Sequence, residues 1–103
     1  LDKEIESEII YEDEKIFCIK DINPAAKVHL LIIPKKRINT VNDLEDKDKE
    51  LIGSMVLIAK KLAKKYEIDE SGYRLVWNTN KDGGQTVYHI HLHLLGGEKL
   101  REF

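Results

Sequence analysis

Three of the four histidines of this chain alternate with large aliphatic residues in one short run, His-Ile-His-Leu-His-Leu-Leu at 89–95. Alternation with period two is typical of a β-strand that has one buried face. Side chains of a strand point alternately to opposite faces, so the aliphatic residues share one face and His89, His91 and His93 share the other. Neighbouring imidazoles on that face are then anchored about 6.6 Å apart. We predict a strand from Val87 to Leu95 that gathers the histidines at one site.

The remainder of the chain predicts further strands and one long helix. Apolar runs indicate strands at 9–11, 15–20, 28–33 and 73–79. Residues 46–66 carry apolar side chains at helical spacing, with acidic residues at the start and lysines at the end, which matches the helix dipole. Val56 and Leu57 widen the apolar face of this helix, which indicates that it also contacts a second surface, such as another subunit.

This order of elements favours one particular fold class. Strands, one long helix and two more strands predict an α+β fold, with an antiparallel β-sheet of about five strands arranged as a meander and packed against the helix. A chain of 103 residues suits one core, so we expect a single domain at 1–103.

The composition limits the partners that the protein can have. Seventeen basic and nineteen acidic residues give a net charge of -2, so no overall field attracts a polyanion, and we expect neither DNA nor RNA as a partner. The longest apolar run, 30–33, is far too short to span a bilayer, so we expect no membrane partner. The only cysteine, Cys18, cannot form an intramolecular disulfide and lies among apolar residues. We therefore expect a buried thiol and a cytoplasmic protein.

The histidine cluster allows two kinds of chemistry. A single histidine on a strand is usually an ordinary polar or hydrogen-bonded residue, but burying several imidazoles costs free energy unless each has a partner. A fourth histidine, His29, interrupts the apolar run of another strand. The imidazoles could bind zinc, since His-x-His on a strand has the reach to do so. Alternatively, one imidazole could attack an electrophile, because imidazole is mostly neutral at pH 7.

The residues upstream of the histidines favour a phosphate over a metal. The segment Gly83-Gly84-Gln85-Thr86 offers backbone N–H groups that can form an anion-binding nest, followed by a hydroxyl. Asn78, at the end of the preceding predicted strand, adds an amide donor. A zinc ion would gain nothing from these donors, whereas a phosphate would use all of them. We therefore interpret the site as one for phosphoryl chemistry.

These residues resemble a known family. Residues 89–95 fit the histidine triad (HIT) pattern, His-φ-His-φ-His-φ-φ, in which φ is hydrophobic. Residues 82–88 before the triad and 96–97 after it, together with residues 21–36, resemble the Hint branch of purine nucleoside phosphoramidases. The resemblance covers roughly Ile5 to Leu100. It implies the HIT fold and hydrolysis of the P–N bond of purine nucleoside 5′-monophosphoramidates, which releases the nucleoside monophosphate and needs neither a metal nor a cofactor.

The resemblance also implies a role for each histidine. His91 would be the nucleophile that forms a nucleotidyl-histidine intermediate, later hydrolysed by water. His93 would contact the phosphate oxygens, while His89 and His29 would form a supporting polar layer. Thr86, where Hint proteins usually have serine, would hydrogen-bond the phosphate or the leaving group.

Nucleotide binding and assembly follow from the same resemblance. Asn78 and the N–H of Gly84 would complete the phosphate site, and Asp21 would bind the ribose hydroxyls. The residues that match an apolar purine slot are Ile5, Ile19, Ile22 and Leu31. The resemblance further implies a homodimer in which the helix and the strand near Trp77 build a continuous two-subunit sheet.

Two alternative functions are open at this point. The Fhit branch of dinucleoside polyphosphate hydrolases shares the Gly-Gln-Thr-Val segment, but it has glutamine in place of Asn78 and lacks the Gly-Gly pair after the triad. The other alternative, from a different class, is a non-catalytic nucleotide-binding or zinc-binding module.

Overall fold

The structure of the protein, a computed structural model, describes residues 8–103. It contains strands β1 (Ile9–Glu12), β2 (Ile16–Lys20), β3 (Val28–Pro34), β4 (Tyr73–Val76) and β5 (Leu92–Gly96), and one α-helix, α1 (Lys49–Lys65). Each strand pairs antiparallel with its neighbours in a five-stranded sheet. The predicted α+β fold, with an antiparallel sheet and one long helix, is confirmed.

The order of the strands differs from the predicted meander in one respect. The first three strands follow one another across the sheet, but β5 lies between β3 and β4, which gives the order β1-β2-β3-β5-β4. The physical reason is the connection through α1, which carries the chain past the position beside β3. The strand that follows the helix therefore forms an edge, and β5 fills the gap.

Three predicted elements are shorter in the structure than in the sequence prediction. The helix begins at Lys49, after a 3-10 turn at Asp46–Asp48, and ends at Lys65 rather than at residue 66. The strand predicted at 73–79 ends at Val76. The strand predicted from Val87 to Leu95 begins only at Leu92 and extends to Gly96. The preceding residues do not continue the ladder with β3, because the His89 ring bonds to the Pro34 carbonyl and the Ile90 N–H bonds to the Ile38 carbonyl.

The core lies between α1 and one face of the sheet. Leu30 and Ile32 of β3 and Leu92 and Leu94 of β5 are at most 1% exposed and belong to the same apolar cluster as the helix. Burying an aliphatic side chain of this kind contributes about 1.5–3 kcal/mol. Cys18 is fully buried in this cluster as predicted, and burial raises the pKa of its thiol to about 12. The thiol is therefore protonated and unreactive.

The start of α1 is tied to the end of β3 by a buried carboxylate. Asp48 is 4% exposed, and its Oδ1 accepts from Nζ of Lys36 at 2.6 Å, while its Oδ2 accepts from the backbone N–H of Glu45 at 2.9 Å. The hydrogen bond from Lys36 and that from the Glu45 N–H hold the pKa of this carboxyl below its usual value. Within residues 8–103, no helix is both long and apolar enough to cross a membrane.

Gly96, the last residue of β5, is set by close packing. A Cβ atom at this position would lie 2.7 Å from Cδ1 of Ile68 and 3.3 Å from the carbonyl oxygen of Gly72. A side chain here would have to displace the end of Ile68 and crowd the Gly72 carbonyl, so glycine lets the loop after α1 rest against the end of this strand.

Candidate active site

The sheet face opposite α1 carries two of the four histidines on neighbouring strands. Leu30 and Ile32 of β3 face the helix, so His29 and Leu31 face the other way. The same alternation on β5 turns His93 to this open face. Leu31 and His93 are partners in the register of β3 and β5, which places His93 on the row of the sheet that also holds Leu31.

The segment before β5, which carries the other two histidines, is held by the last residue of β3 and by the loop that follows it. The backbone N–H of Ile90 donates to the carbonyl of Ile38 at 2.7 Å. The ring of His89, which is 7% exposed, bonds through Nε2 to the carbonyl of Pro34 at 2.7 Å. Burial lowers the pKa of His89, and a neutral ring with a proton on Nε2 is the donor that this carbonyl requires. This local pairing replaces the regular strand predicted at 87–91.

Gln85 anchors the same segment from its other end. It is 6% exposed, and its Nε2 donates to the carbonyls of Asn39 at 2.7 Å and of Val87 at 3.2 Å. Its Oε1 accepts from the backbone N–H of Asn80 at 2.8 Å. One side chain therefore joins both ends of the 80–87 loop to residue 39. No role for Gln85 was predicted from the sequence, where its only signal is a large amide beside two glycines that form a turn.

His91 has a defined orientation. Its Nδ1 lies 2.8 Å from the carbonyl of His89, and a carbonyl only accepts, so Nδ1 carries the proton. The other ring nitrogen, Nε2, then has a free lone pair whenever the ring is neutral. His91 is partly exposed, and its ring stands edge-on to that of His93, with the centroids 4.9 Å apart.

His29 and His93 form a hydrogen-bonded pair. Nε2 of His29 lies 2.9 Å from Nδ1 of His93, and Nδ1 of His29 accepts from the backbone N–H of Ala25 at 2.9 Å. Oδ2 of Asp21 lies 3.4 Å from Nε2 of His29. Burial lowers the pKa of His29, and burial together with the neighbouring His91 and His29 rings lowers that of His93 to about 4, against the opposing effect of Asp21.

The loop predicted to cradle a phosphate uses the N–H groups of its two glycines for hydrogen bonds within the loop. The N–H of Gly84 donates to the carbonyl of Lys81 at 3.0 Å, and that of Gly83 donates to the carbonyl of Asn80 at 3.1 Å, within a 3-10 turn at Lys81–Gly83. Gly84 has φ = +86°, the left-handed conformation that favours glycine. The glycines therefore shape the turn, and the Gly84 N–H is not free for a phosphate oxygen.

The side chains predicted to accompany that loop are accessible to different degrees. Thr86 is exposed, and Asn78 is partly buried. The backbone of Asn78 lies close to the turn, since a Cβ atom on Gly83 would be 3.9 Å from the Asn78 carbonyl carbon. The chain thus brings the end of the β4 segment next to the loop that leads to the triad.

The residues predicted for the nucleoside lie partly on the same sheet face. Ile19 and Leu31 are register partners on β2 and β3, so with His93 they form one row across three strands. Ile19 is 5% exposed and Ile22 is 68% exposed. Oδ1 of Asp21 accepts from the backbone N–H of Asn23. Ile5, also predicted for this slot, lies outside the described residues.

Asp21, His29 and His93 are close enough together to be considered as metal ligands, since their ligand atoms lie within 4.8 Å of one another. The hydrogen bonds argue against that use. The lone pair of His29 Nδ1 is engaged by the Ala25 amide, and its Nε2 faces Nδ1 of His93 at hydrogen-bonding distance. A metal would need lone pairs at nitrogens that are now bonded to one another or to the backbone.

In this structure, His29 contacts the last histidine of the run 89–93 on the open face of the sheet, and the aliphatic residues of the same strands are buried against the helix. This is the arrangement of a histidine triad protein. Residues 2–100 match the family model described as HIT domain. The chain is 49% identical to the purine nucleoside phosphoramidase of Escherichia coli (strain K12) over 98 residues, 95% of this chain and 82% of that protein.

Solved structures agree with this comparison. The chain resembles a HIT family hydrolase from Legionella pneumophila with a TM-score of 0.93 and 52% identity, covering 97% of this chain and 89% of the other. It resembles a histidine triad protein from Clostridium difficile with a TM-score of 0.93 and 36% identity, covering 99% and 89%. The chain therefore belongs to the HIT family.

Proposed function

We propose that this protein hydrolyses the P–N bond of purine nucleoside 5′-monophosphoramidates and releases the nucleoside monophosphate. The observation that carries the proposal is the orientation of His91. Its Nδ1 proton is held by the His89 carbonyl, so the lone pair of Nε2 is directed away from that bond. A partly exposed imidazole whose Nδ1 holds the proton presents the Nε2 lone pair as a nucleophile without a separate base.

The reaction has two steps. Nε2 of His91 attacks the α-phosphorus, a P–N bond to His91 forms as the P–N bond to the amine breaks, and the amine leaves with a proton taken up from solvent. Water then attacks the phosphorus, which releases the nucleoside monophosphate and returns the lone pair to His91. The high identity to a purine nucleoside phosphoramidase over most of both chains supports this reaction class.

Side chains rather than the glycine loop bind the phosphate in this proposal. Nε2 of His93 is a buried nitrogen that has no hydrogen-bond partner within the described part of the chain, so it suits a phosphate oxygen. Thr86 supplies an exposed hydroxyl and Asn78 an amide at the edge of the same region. His89 acts as a positioning residue, because its own carbonyl holds His91 while its ring is bonded to Pro34.

The nucleoside then lies over the row of the sheet that leads away from His93. Leu31, which is partly exposed, supplies apolar surface for the purine next to His93, and the buried Ile19 supports it from the same row of the sheet. Exposed Ile22 is available to cover the other side of the base. Asp21 is placed to bind the ribose hydroxyls, since its side chain is 20% exposed and borders His29.

The protein acts as a homodimer in this proposal, without a metal or cofactor, and in the reducing cytoplasm. Val56 and Leu57, on the outer side of α1, are 37% and 57% exposed. β4 has a partner on one side only in the sheet of the described residues, so its other edge is a template for the same strand of a second copy. A free, buried Cys18 fits a reducing compartment.

Hydrolysis of an adenylyl-lysine amide tests the function. We expect turnover by the protein that survives a chelator and falls by at least about 1,000-fold in His91→Ala, since nothing else replaces the nucleophile. Glu70→Ala, at an exposed position in the loop after α1, is the matched control and should keep full activity. When a substrate labelled on its nucleotide part is used and the reaction is quenched without acid, the label should attach to the unchanged protein and not to His91→Ala.

The alternatives predict other results. Faster turnover of diadenosine triphosphate than of the phosphoramidate would favour a dinucleoside polyphosphate hydrolase. Nucleotide binding without any turnover would favour a non-catalytic module, and activity that is retained in His91→Ala or lost with the chelator would contradict the proposed mechanism.

A further inference from the structure

The two hydrogen bonds of His29 determine where its proton lies. The backbone N–H of Ala25 can only donate, and it points at Nδ1 of His29 over 2.9 Å. This nitrogen must therefore carry no proton, so the ring is neutral and its proton is on Nε2. The carboxylate of Asp21, 3.4 Å from Nε2, favours the same position.

The proton on Nε2 of His29 in turn determines the tautomer of His93. Nε2 of His29 donates its proton to Nδ1 of His93 at 2.9 Å, so Nδ1 of His93 accepts and carries no proton. A neutral imidazole has one proton, which in His93 is left on Nε2. That nitrogen is buried and has no hydrogen-bond partner among residues 8–103. A buried donor without an acceptor costs free energy, and a ligand oxygen would satisfy it.

We infer that the backbone amide of Ala25, acting through His29, fixes His93 as a neutral Nε2–H donor. His29 and Ala25 are positioning groups in this scheme and do not touch the substrate. The loop that connects β2 to β3 thus determines that Nε2 of His93 carries the proton that a phosphate oxygen would accept. The assignment of that oxygen rests on the proposed function, whereas the tautomer itself does not.

The chain of hydrogen bonds also excludes one role for the pair. The chain begins at the peptide N–H of Ala25, which does not release its proton at ordinary pH. If His93 donated its Nε2 proton to a substrate, His29 could therefore not be reprotonated from Ala25 after passing its own proton to His93. The pair is therefore a fixed donor and not a proton relay. The proton that the leaving amine needs must reach it by a route other than His29.

The imidazole ¹⁵N signals, which distinguish protonated from unprotonated ring nitrogens, test the inference directly. In the protein at neutral pH we expect His93 to show a protonated Nε2 and an unprotonated Nδ1. In His29→Leu, which removes the donor, His93 should become a mixture of both tautomers. His91 is an internal control, because its Nδ1 bond to the His89 carbonyl does not involve His29.

A second pair of variants leaves both imidazoles in place. Ala25→Pro deletes the N–H, so His29 loses the constraint on Nδ1 and the Nε2–H population of His93 should fall. Ala25→Ser keeps the N–H and is the matched control, at an exposed position. This pair decides the question if His29→Leu does not fold. A protonated Nδ1 on His93 in the unchanged protein, or a tautomer that Ala25→Pro does not alter, would overturn the inference.

Kinetics add a readout that a purely structural role would not change. His29→Gln offers both an acceptor and a donor, so it should recover part of the activity that His29→Leu loses. We expect the loss in kcat/KM to be about 10- to 100-fold, the usual effect of one hydrogen bond to a charged group. If the unchanged protein does not hydrolyse phosphoramidates, the proposed function fails, and the ¹⁵N signals still test the tautomer.

Discussion

Acid should destabilise this protein well above the pH at which carboxylates titrate, and His93 should account for much of the effect. Burial lowers the pKa of His93 from 6.5 to about 4 in the folded state. Between about pH 4 and 6.5, His93 is therefore protonated in the unfolded chain and unprotonated in the folded chain. Because unfolding takes up this proton, stability is fully present above the unfolded pKa and is lost as the pH falls from about 6.5 towards about 4.

The size of the loss follows from the two pKa values. Between about pH 7.5 and about pH 5, a shift from 6.5 to about 4 changes the free energy of unfolding by about 2 kcal/mol. The ring is only partly buried, so solvent screening reduces this to about 1–2 kcal/mol. His29 and His89, whose pKa values are also lowered by burial, add to the loss in the same direction.

Urea unfolding at fixed protein concentration, followed by circular dichroism at both pH values, measures this effect. His93→Asn removes the titrating ring and retains an amide that can bond to Nε2 of His29. The variant should lose about 1–2 kcal/mol less stability than the unchanged protein over the same pH interval. Equal losses in the two proteins would refute the reasoning, because they would show that His93 titrates alike in the folded and unfolded chain.

Two further predictions concern packing and assembly. Gly96→Ala should lower the free energy of unfolding by about 1–3 kcal/mol in urea unfolding, because its Cβ would lie 2.7 Å from Cδ1 of Ile68 and 3.3 Å from the Gly72 carbonyl oxygen. Leu57→Asp should convert the proposed dimer to a monomer in light scattering. Ile22→Asp, which also replaces an exposed aliphatic residue, should leave the dimer intact. A dimer in both variants would place the interface elsewhere.

The sequence predicted those parts of the fold that depend on local periodicity. The apolar run of β3 ends at Pro34, one residue beyond the predicted strand, and α1 lies within three residues of its predicted bounds. Periodicity failed before β5, where His89 and His91 alternate with aliphatic residues but precede the strand. The ring of His89 bonds instead to Pro34 at the end of β3, more than fifty residues earlier in the chain, and no local pattern records such a partner.

The candidate site shows the same division. The histidines could be identified from their spacing, but the partner of each ring nitrogen could not. The Ala25 amide, which sets the tautomer of His29, has no signature in the sequence, because every residue except proline carries a backbone N–H. The Gly84 N–H was predicted to bind phosphate, and the structure pairs it with Lys81 because the glycine turn closes on itself.

The position of β5 between β3 and β4 ties the maturation of the site to the last stage of folding. β5 comes after β4 in the chain, yet it must enter between two strands that precede it, and the pairing of Val28 with Gly96 spans nearly seventy residues. Contacts so distant in sequence form late and slowly, since the loop-closure entropy is lost before they can compensate for it. The same step joins His29 to His93. A partly folded chain thus lacks the His29–His93 pair, and recovery of activity during refolding should coincide with closure of the sheet.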